Sequence, residues 1–354
     1  MPSPPWMIYG ANGYTGVLVA EEAVRRGHRP LLAGRSAGRL APLAERLGLD
    51  YVAFSLDDEA VIARRLADVA LVFHAAGPFT LTSAPMVRAC LLCGVHYVDI
   101  TGEIDVFEHT FAHDEAARKR GILLISGLGF DVIASDCLAA HVAARAPDAV
   151  DLRIGISAIG RASVGTTRSL LEILARGGWV RRNGALRPVL IGWDVRKVRF
   201  PHGERTALAI PWGDLSTAYR TTGIPNITTY FAYPPELIRL ARVMALPGQA
   251  ALSIRPVRRL FQRLVGWTVR NPEAAFRQRA RSYLWARAAD PEGRAAEAWL
   301  ETVEAYTFTA LAGVRAVERL LSASPVGALS PAQALGADFV LDIEGSRRHD
   351  SLPE

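Results

Sequence analysis

The stretch "WMIYGANGYTG", Trp6 to Gly16, decides the fold. A short apolar run stops at a turn with glycine at every third position, and a helix-patterned segment over about 14–26 follows at once. Strand, glycine turn and helix in that order let a backbone pass close to a bulky anion, most often the pyrophosphate of a dinucleotide. Gly10 permits the tight turn, Gly13 the close approach and Gly16 the packing of helix on strand. Amides at the helix N-terminus receive negative charge. Asn12, Tyr14 and Thr15 complete the loop.

Outward from the turn, β-rich runs alternate with helical patterns of ten to fifteen residues, the signature of a parallel sheet covered on both faces. Strands are expected at 6–9, 30–34, 51–54, 70–76, 96–100 and 121–126, with helices at about 14–26, 37–47, 58–67, 83–93 and 104–119. Gly27, Gly48, Gly94 and Gly121 stand where helices end. The result is an α/β, doubly wound parallel sheet over 1–132. A helix at about 133–145, stopped before Pro147, opens a second α+β domain over 133–325. Its strands are expected at 150–160, 195–200 and 227–233, and as a hairpin of 281–289 with 294–302 turning through Asp290-Pro291-Glu292-Gly293. The helix 307–321 carries Phe308, Leu311, Val314, Val317 and Leu321 along one stripe. A last helix from Pro331, capped by Ser330, lies in a segment 326–345 read as returning to the first domain, with a tail at 346–354.

The chain has 354 residues, half of them apolar, enough for two cores. Its net charge is +6, but lysine occurs only at 119 and 197, and the arginines are spread along the chain without a zinc-finger or basic-tail pattern. A nucleic-acid partner is therefore not expected. No basic stretch precedes a long apolar one at the start, and no run of about 18 uncharged apolar residues occurs, so the expected location is cytoplasmic. Three cysteines, Cys90, Cys93 and Cys137, suit a reducing compartment and make no disulfide framework. Cys90-x-x-Cys93 ends a helix with no second ligand pair nearby. The pair reads as buried structural thiols, and no metal is expected.

The end of the second strand distinguishes the dinucleotides. An acidic residue there usually accepts hydrogen bonds from the ribose 2′-hydroxyl of NAD. Here the strand ends "LLAGRS", with Arg35 and Ser36 in that place. A guanidinium pairs with a 2′-phosphate that a carboxylate would repel, so NADP(H) is expected. The loops after the fourth, fifth and sixth strands, "HAAGPF" 74–79, "DITGE" 99–103 and "SGLGFD" 126–131, should approach the nicotinamide. Ala75, Ala76, Gly77 and Pro78 give a smooth wall for the cofactor, and Phe79 an aromatic lid. Asp99, Thr101, Glu103 and Asp131 gather in the same cleft. Asp99 or Asp131 either serves acid–base chemistry or holds a loop or helix end.

The segment 236–266 stands apart. Val257, Leu260, Phe261, Leu264 and Val265 alternate with Arg258, Arg259, Gln262 and Arg263, an amphipathic helix with a cationic face. Two readings stand: packing on the second sheet or on a subunit neighbour, and peripheral contact with a membrane or lipid surface.

The combination "GANGYTG", "AGRS", "HAAGPF", "ACLLCGVHYVDITGE" and "GLGFDVIASD" resembles the saccharopine dehydrogenase-like oxidoreductases, and within them the short bacterial branch that includes trans-acting enoyl reductases. "TGIPNITTYFAYP", "EAYTFTA" and "GALSPAQALG" extend the likeness over most of the chain. The resemblance implies an N-terminal NADP(H)-binding Rossmann domain and a second domain that shapes the substrate cleft and supports a homodimer. Many relatives carry proline where Ala134 stands here, and many are longer. A short-chain dehydrogenase needs tyrosine four residues before lysine, whereas Glu115 and Trp193 stand in those places. A semialdehyde dehydrogenase needs a cysteine at a loop or helix start, whereas all three cysteines fall within expected helices. The leading expectation is an NADPH-dependent reductase of an activated C=C bond (enoyl, lipid or polyketide) or a C=N bond, with a small-molecule or acyl substrate and with Glu103 and Asp131 as catalytic acid and polariser. The alternative is a non-catalytic NADP-binding protein associated with lipid or a partner protein.

Overall fold

The structure, a computed structural model, describes residues 5–158, 163–323 and 325–352, apart from the side chains of residues 168, 255, 266 and 267. Two compact units result. The first comprises Met1–Ile133 with Tyr306–Leu335, and the second Ala134–Ala305 with Gly336–Glu354.

In the first unit, strands β1 (Trp6–Tyr9), β2 (Leu31–Gly34), β3 (Tyr51–Ala53), β4 (Leu71–His74), β5 (His96–Asp99) and β6 (Leu123–Ile125) form an all-parallel sheet in the order 6-5-4-1-2-3. Such strands are buried on both faces, which is why β1 and β4 are apolar throughout apart from His74. A seventh strand, Gly327–Ala328, adds to the edge beside β6. The chain order reverses between β1 and β4, the switch point where open α/β sheets place their ligands. Met7, Tyr9, Val72 and Tyr97 on the strands pack with Ile62, Leu66 and Met86 of the covering helices.

Three helices differ from their expected bounds. The helix expected at 83–93 runs Phe79–Cys93, because a distant side chain caps its start. The one expected at 104–119 is two, Ile104–Phe111 and Asp114–Arg120, with His113 Nδ1 on the His109 carbonyl at the break. The long helix Ala305–Ser322, expected in the second domain, clusters from Tyr306 onward with the first unit and buries Phe308, Val314, Val317 and Leu320. Leu311 and Leu321 of the expected stripe are half-buried. Residues 336–354 cluster with the second unit. Ser330 Oγ accepts from the Gln333 amide at 3.2 Å, although the helix it caps, Pro331–Leu335, is short.

The second unit is a mixed nine-stranded sheet. Asn226–Ala232 runs parallel to Asp151–Ala158, and Arg281–Ala289 continues antiparallel on the far side. Residues 159 and 160 of the expected strand 150–160 lie outside the described residues. The hairpin of Arg281–Ala289 with Ala295–Val303 is in register, Trp285 opposite Trp299, and Asp290 Oδ1 accepts the Arg294 amide to close its turn. Strands Gly178–Arg182, Ala185–Val189, Gly203–Ala209 and Arg347–His349 were not foreseen. Phe200, Tyr230, Trp285 and Trp299 fill the core on one face. The stretch 235–268 is three successive helices, Pro235–Val243, Ala245–Ser253 and Arg255–Thr268. Among the described residues no helix is long and apolar enough to cross a membrane.

Candidate functional site

Gly10 has φ +87°, and a Cβ there would lie 2.8 Å from the Ala75 carbonyl carbon and the Ala76 nitrogen. The turn after β1 and the loop after β4 thus meet backbone to backbone. Gly10 and Ala11 donate to the Ala33 carbonyl of β2, at 2.8 and 3.1 Å, which fixes the turn across the switch point. Gly16 belongs to the same packing, since its Cβ would press on the Gly10 carbonyl oxygen. Helix Tyr14–Arg25 starts behind Gly13 with no side-chain cap and no acidic residue in its first turn. An N-terminus left in that state suits an anion. Asn12 lies against Gly34, where a Cβ would meet its Oδ1 at 3.0 Å.

Arg35 and Ser36 are exposed at the end of β2, and Ser36 is the N-cap of the next helix yet makes no capping hydrogen bond. Arg35 forms no ion pair among the described residues. A guanidinium and a hydroxyl beside an open helix start fit a ribose 2′-phosphate. Beneath them Tyr9 donates to the Phe54 carbonyl at 3.1 Å, and burial pushes its phenol up to about 12.

The loop after β4 holds Ala75 and Ala76 against the glycine turn, with Gly77 and Pro78 following, and Thr82 Oγ1 clasps it by donating to the Ala76 carbonyl at 2.6 Å. Phe79, expected as a lid, is buried instead. Its ring stands edge-on to His74 at 5.5 Å, because residue 79 already belongs to the helix.

The carboxylates behind this wall divide by environment. Asp99 is fully buried and accepts four hydrogen bonds, from the Thr101 and Gly127 amides, the Tyr97 hydroxyl and the Ser126 hydroxyl, tying the ends of β5 and β6 together. Burial nevertheless raises its pKa to about 6. His74 Nδ1 donates to the Tyr97 oxygen at 3.1 Å, and burial depresses the imidazole to about 3, so the ring is neutral. Glu103 is also buried, and its two oxygens accept the amides of Phe79 and Thr80 at 3.0 and 2.9 Å. Thr101 Oγ1 in turn accepts the Glu103 amide. Asp131 is half-buried, with its Oδ2 at 3.8 Å from where a Cβ on Gly102 would stand. Asp131 thus lies beside Gly102, next in the chain to Glu103, whose own carboxylate is engaged as a helix cap.

Two contributors were not named from the sequence. Tyr306 packs edge-on to Tyr14 at 5.0 Å, and Thr309 Oγ1 accepts the Phe130 amide at 3.0 Å. Both sit on the helix expected in the other domain, although "EAYTFTA" carried them in the resemblance. Of the cysteines, Cys90 and Cys137 are buried with their thiols pushed up, whereas Cys93, expected buried, is exposed.

Residues 6–125 match the saccharopine dehydrogenase NADP-binding domain family. This stretch of the first unit is thus similar to an NADP-binding domain, and the glycine turn, open helix start and Arg35 fit the cofactor. The chain is 34% identical over 189 residues, 48% of its length and 44% of the relative's, to a Mycobacterium tuberculosis protein provisionally named a trans-acting enoyl reductase. A trans-acting enoyl reductase of Mycobacterium ulcerans is 29% identical over 150 residues, 40% of this chain and 36% of that protein. The chain spans less than half the length of these relatives. In fold it is similar to yeast (Saccharomyces cerevisiae) saccharopine dehydrogenase, with TM-score 0.63 and 11% identity over 98% of this chain and all of that one.

Proposed function

We infer that the chain is an NADPH-dependent reductase of an activated double bond, an enoyl C=C first and a C=N second. The observation that carries this reading is the meeting of Gly10 with Ala75 and Ala76 at the switch point, with Arg35 and Ser36 exposed at the end of the neighbouring strand. The enoyl preference draws on the names of the Mycobacterium relatives.

In this account the first-turn amides after Gly13 hold the pyrophosphate, Asn12, Tyr14 and Thr15 line it, and Arg35 and Ser36 hold the 2′-phosphate. Ala75 to Pro78 wall the nicotinamide side. Bound NADPH supplies hydride to the electron-poor carbon of the double bond. The chain contributes position, exclusion of water and a proton for the adjoining carbon. Asp131 is the carboxylate we assign to that proton. Glu103, with both oxygens on helix amides, positions the loop 75–79.

The test is NADPH oxidation by the purified chain against enoyl thioesters of rising chain length, a cyclic imine and ketones. The reading expects turnover on at least one enoyl thioester and a loss of roughly a hundredfold or more in kcat for Asp131→Asn with NADPH binding retained. NADPH bound but unconsumed across the panel overturns it in favour of a non-catalytic binding protein.

A further inference from the structure

The helices Pro235–Val243, Ala245–Ser253 and Arg255–Thr268 leave large apolar side chains in water. Leu240 is 57% exposed, Val243 74%, Leu246 62% and Leu260 56%, and Leu237, Met244, Ile254, Phe261 and Leu264 are exposed as well. Scattered singly, such residues need no explanation, but nine within thirty residues of chain do.

The last helix shows how the exposure is built. An amphipathic helix on a soluble protein turns its apolar stripe inward. Here the inward edge is polar: Arg258 Nε and Gln262 Nε2 both donate to Glu172 Oε1 on helix Val164–Arg176, at 3.1 and 2.7 Å, and Arg258 also donates to the Leu252 carbonyl. That anchoring turns Leu260 and Leu264 outward, beside exposed Arg259 and Arg263. The expected cationic face is thus split, with Arg258 and Gln262 tied inward and Arg259 and Arg263 left outside.

Charge decides the occupant. Residues 235–270 hold seven arginines and one glutamate, a net +6 that equals the formal charge of the whole chain. Arg242, Arg259, Arg263 and Arg270 are exposed and form no ion pair among the described residues. A second copy would set this charge against itself across a two-fold axis, which opposes association. Apolar side chains spread over three helix backs, mostly aliphatic and flanked by arginines, do not form the compact aromatic cluster that concentrates binding energy between proteins. They are what a helix carries when it lies in the headgroup region of an anionic bilayer.

We propose that helices 235–268 dock the chain peripherally on an anionic lipid surface, with Leu260, Phe261 and Leu264 entering the acyl boundary and Arg242, Arg259 and Arg263 meeting lipid phosphates. This does not depend on the reductase reading.

The experiment is co-sedimentation of the full chain with vesicles of phosphatidylglycerol and phosphatidylcholine in equal parts, and with phosphatidylcholine alone. Binding to the anionic vesicles is expected. It should fall roughly twentyfold or more for Arg259→Glu with Arg263→Glu, about fivefold for each cation near the surface. It should also fall at least as far for Leu260→Ser with Leu264→Ser. All four side chains are exposed, and unchanged thermal unfolding and NADPH binding of the variants verify their folding. The proposal is overturned if the chain stays in the supernatant, as it would were the occupant a soluble acidic protein. It is equally overturned if neutral vesicles bind as well, if both double variants bind like wild type, or if sedimentation equilibrium shows a dimer that the leucine variant dissociates.

Discussion

At Gly10 the backbone is packed so closely on Ala75 and Ala76 that no Cβ fits, while at Leu260 more than half of an apolar residue stands in water on a helix fastened by its polar edge. Each feature runs against the ordinary economy of a fold. A left-handed glycine gives up conformational entropy, and an exposed leucine forfeits much of the roughly 1.5–3 kcal/mol that full burial returns. The difference lies in what surrounds them. The turn is held on every side by its own domain, through Ala33, Ala75 and Ala11, so its shape is complete before a ligand arrives. The helix is held on one side only, through Glu172. The first is preorganised for a small anion, and the second presents a surface.

The contrast breaks most readily at the turn. Gly10→Ala places a methyl group on the Ala75–Ala76 backbone at a φ that alanine resists. It should cost about 3 kcal/mol in urea unfolding and abolish NADPH binding. Glu103→Ala leaves the Phe79 and Thr80 amides without their acceptor, and should cost about 2 kcal/mol in the same assay while loosening NADPH through the loop 75–79.

Below these comes a pair of opposed titrations. His74 titrates near 3 in the folded chain against 6.5 when free, so the unfolded chain takes up its proton first and stability is lost as pH falls from about 6.5 toward 3. Asp99 titrates near 6 against 3.8, so the folded chain keeps a proton that the unfolded chain has shed, and stability is lost as pH rises from about 4 to about 6. Between pH 4 and 6 the slopes cancel in the wild type. Asp99→Asn should make stability climb with pH there, by up to about 1.4 kcal/mol per unit, and His74→Gln should make it fall, both read from urea midpoints. Two variants with the same slope would contradict the assignment. At the far end of the scale, Leu260→Ser should shift stability by no more than about 0.5 kcal/mol, since the residue is already mostly exposed. A larger loss would mean that the helix back is not a free surface.

What the sequence disclosed follows from the range of each interaction. The turn was legible because strand, glycines and helix lie within eleven consecutive residues, and Arg35 was legible because strand β2 carries it to a known place. The capping role of Glu103 was not legible because its partners lie 23 and 24 residues upstream, in a helix whose start cannot be recognised without them. The burial of Phe79 was hidden for the same reason. The seventh strand is two residues long, below what alternation can reveal, and its pairing with β6 carries the helix Ala305–Ser322 into the first unit together with Tyr306 and Thr309. In the second unit the amphipathic pattern of 255–268 was plain, but pattern alone does not say which face turns inward. Glu172, more than eighty residues earlier, makes that choice.

The central claim is that the site at the end of β2 reads the extra phosphate of the cofactor through Arg35. Isothermal titration of the wild-type chain and of Arg35→Glu with NADPH and with NADH tests it most directly. The account predicts that the wild type holds NADPH more tightly than NADH. It also predicts that the substitution weakens NADPH by about tenfold to a hundredfold while NADH changes only a few-fold. NADH held as tightly as NADPH by the wild type, or NADPH affinity untouched by the substitution, would contradict it.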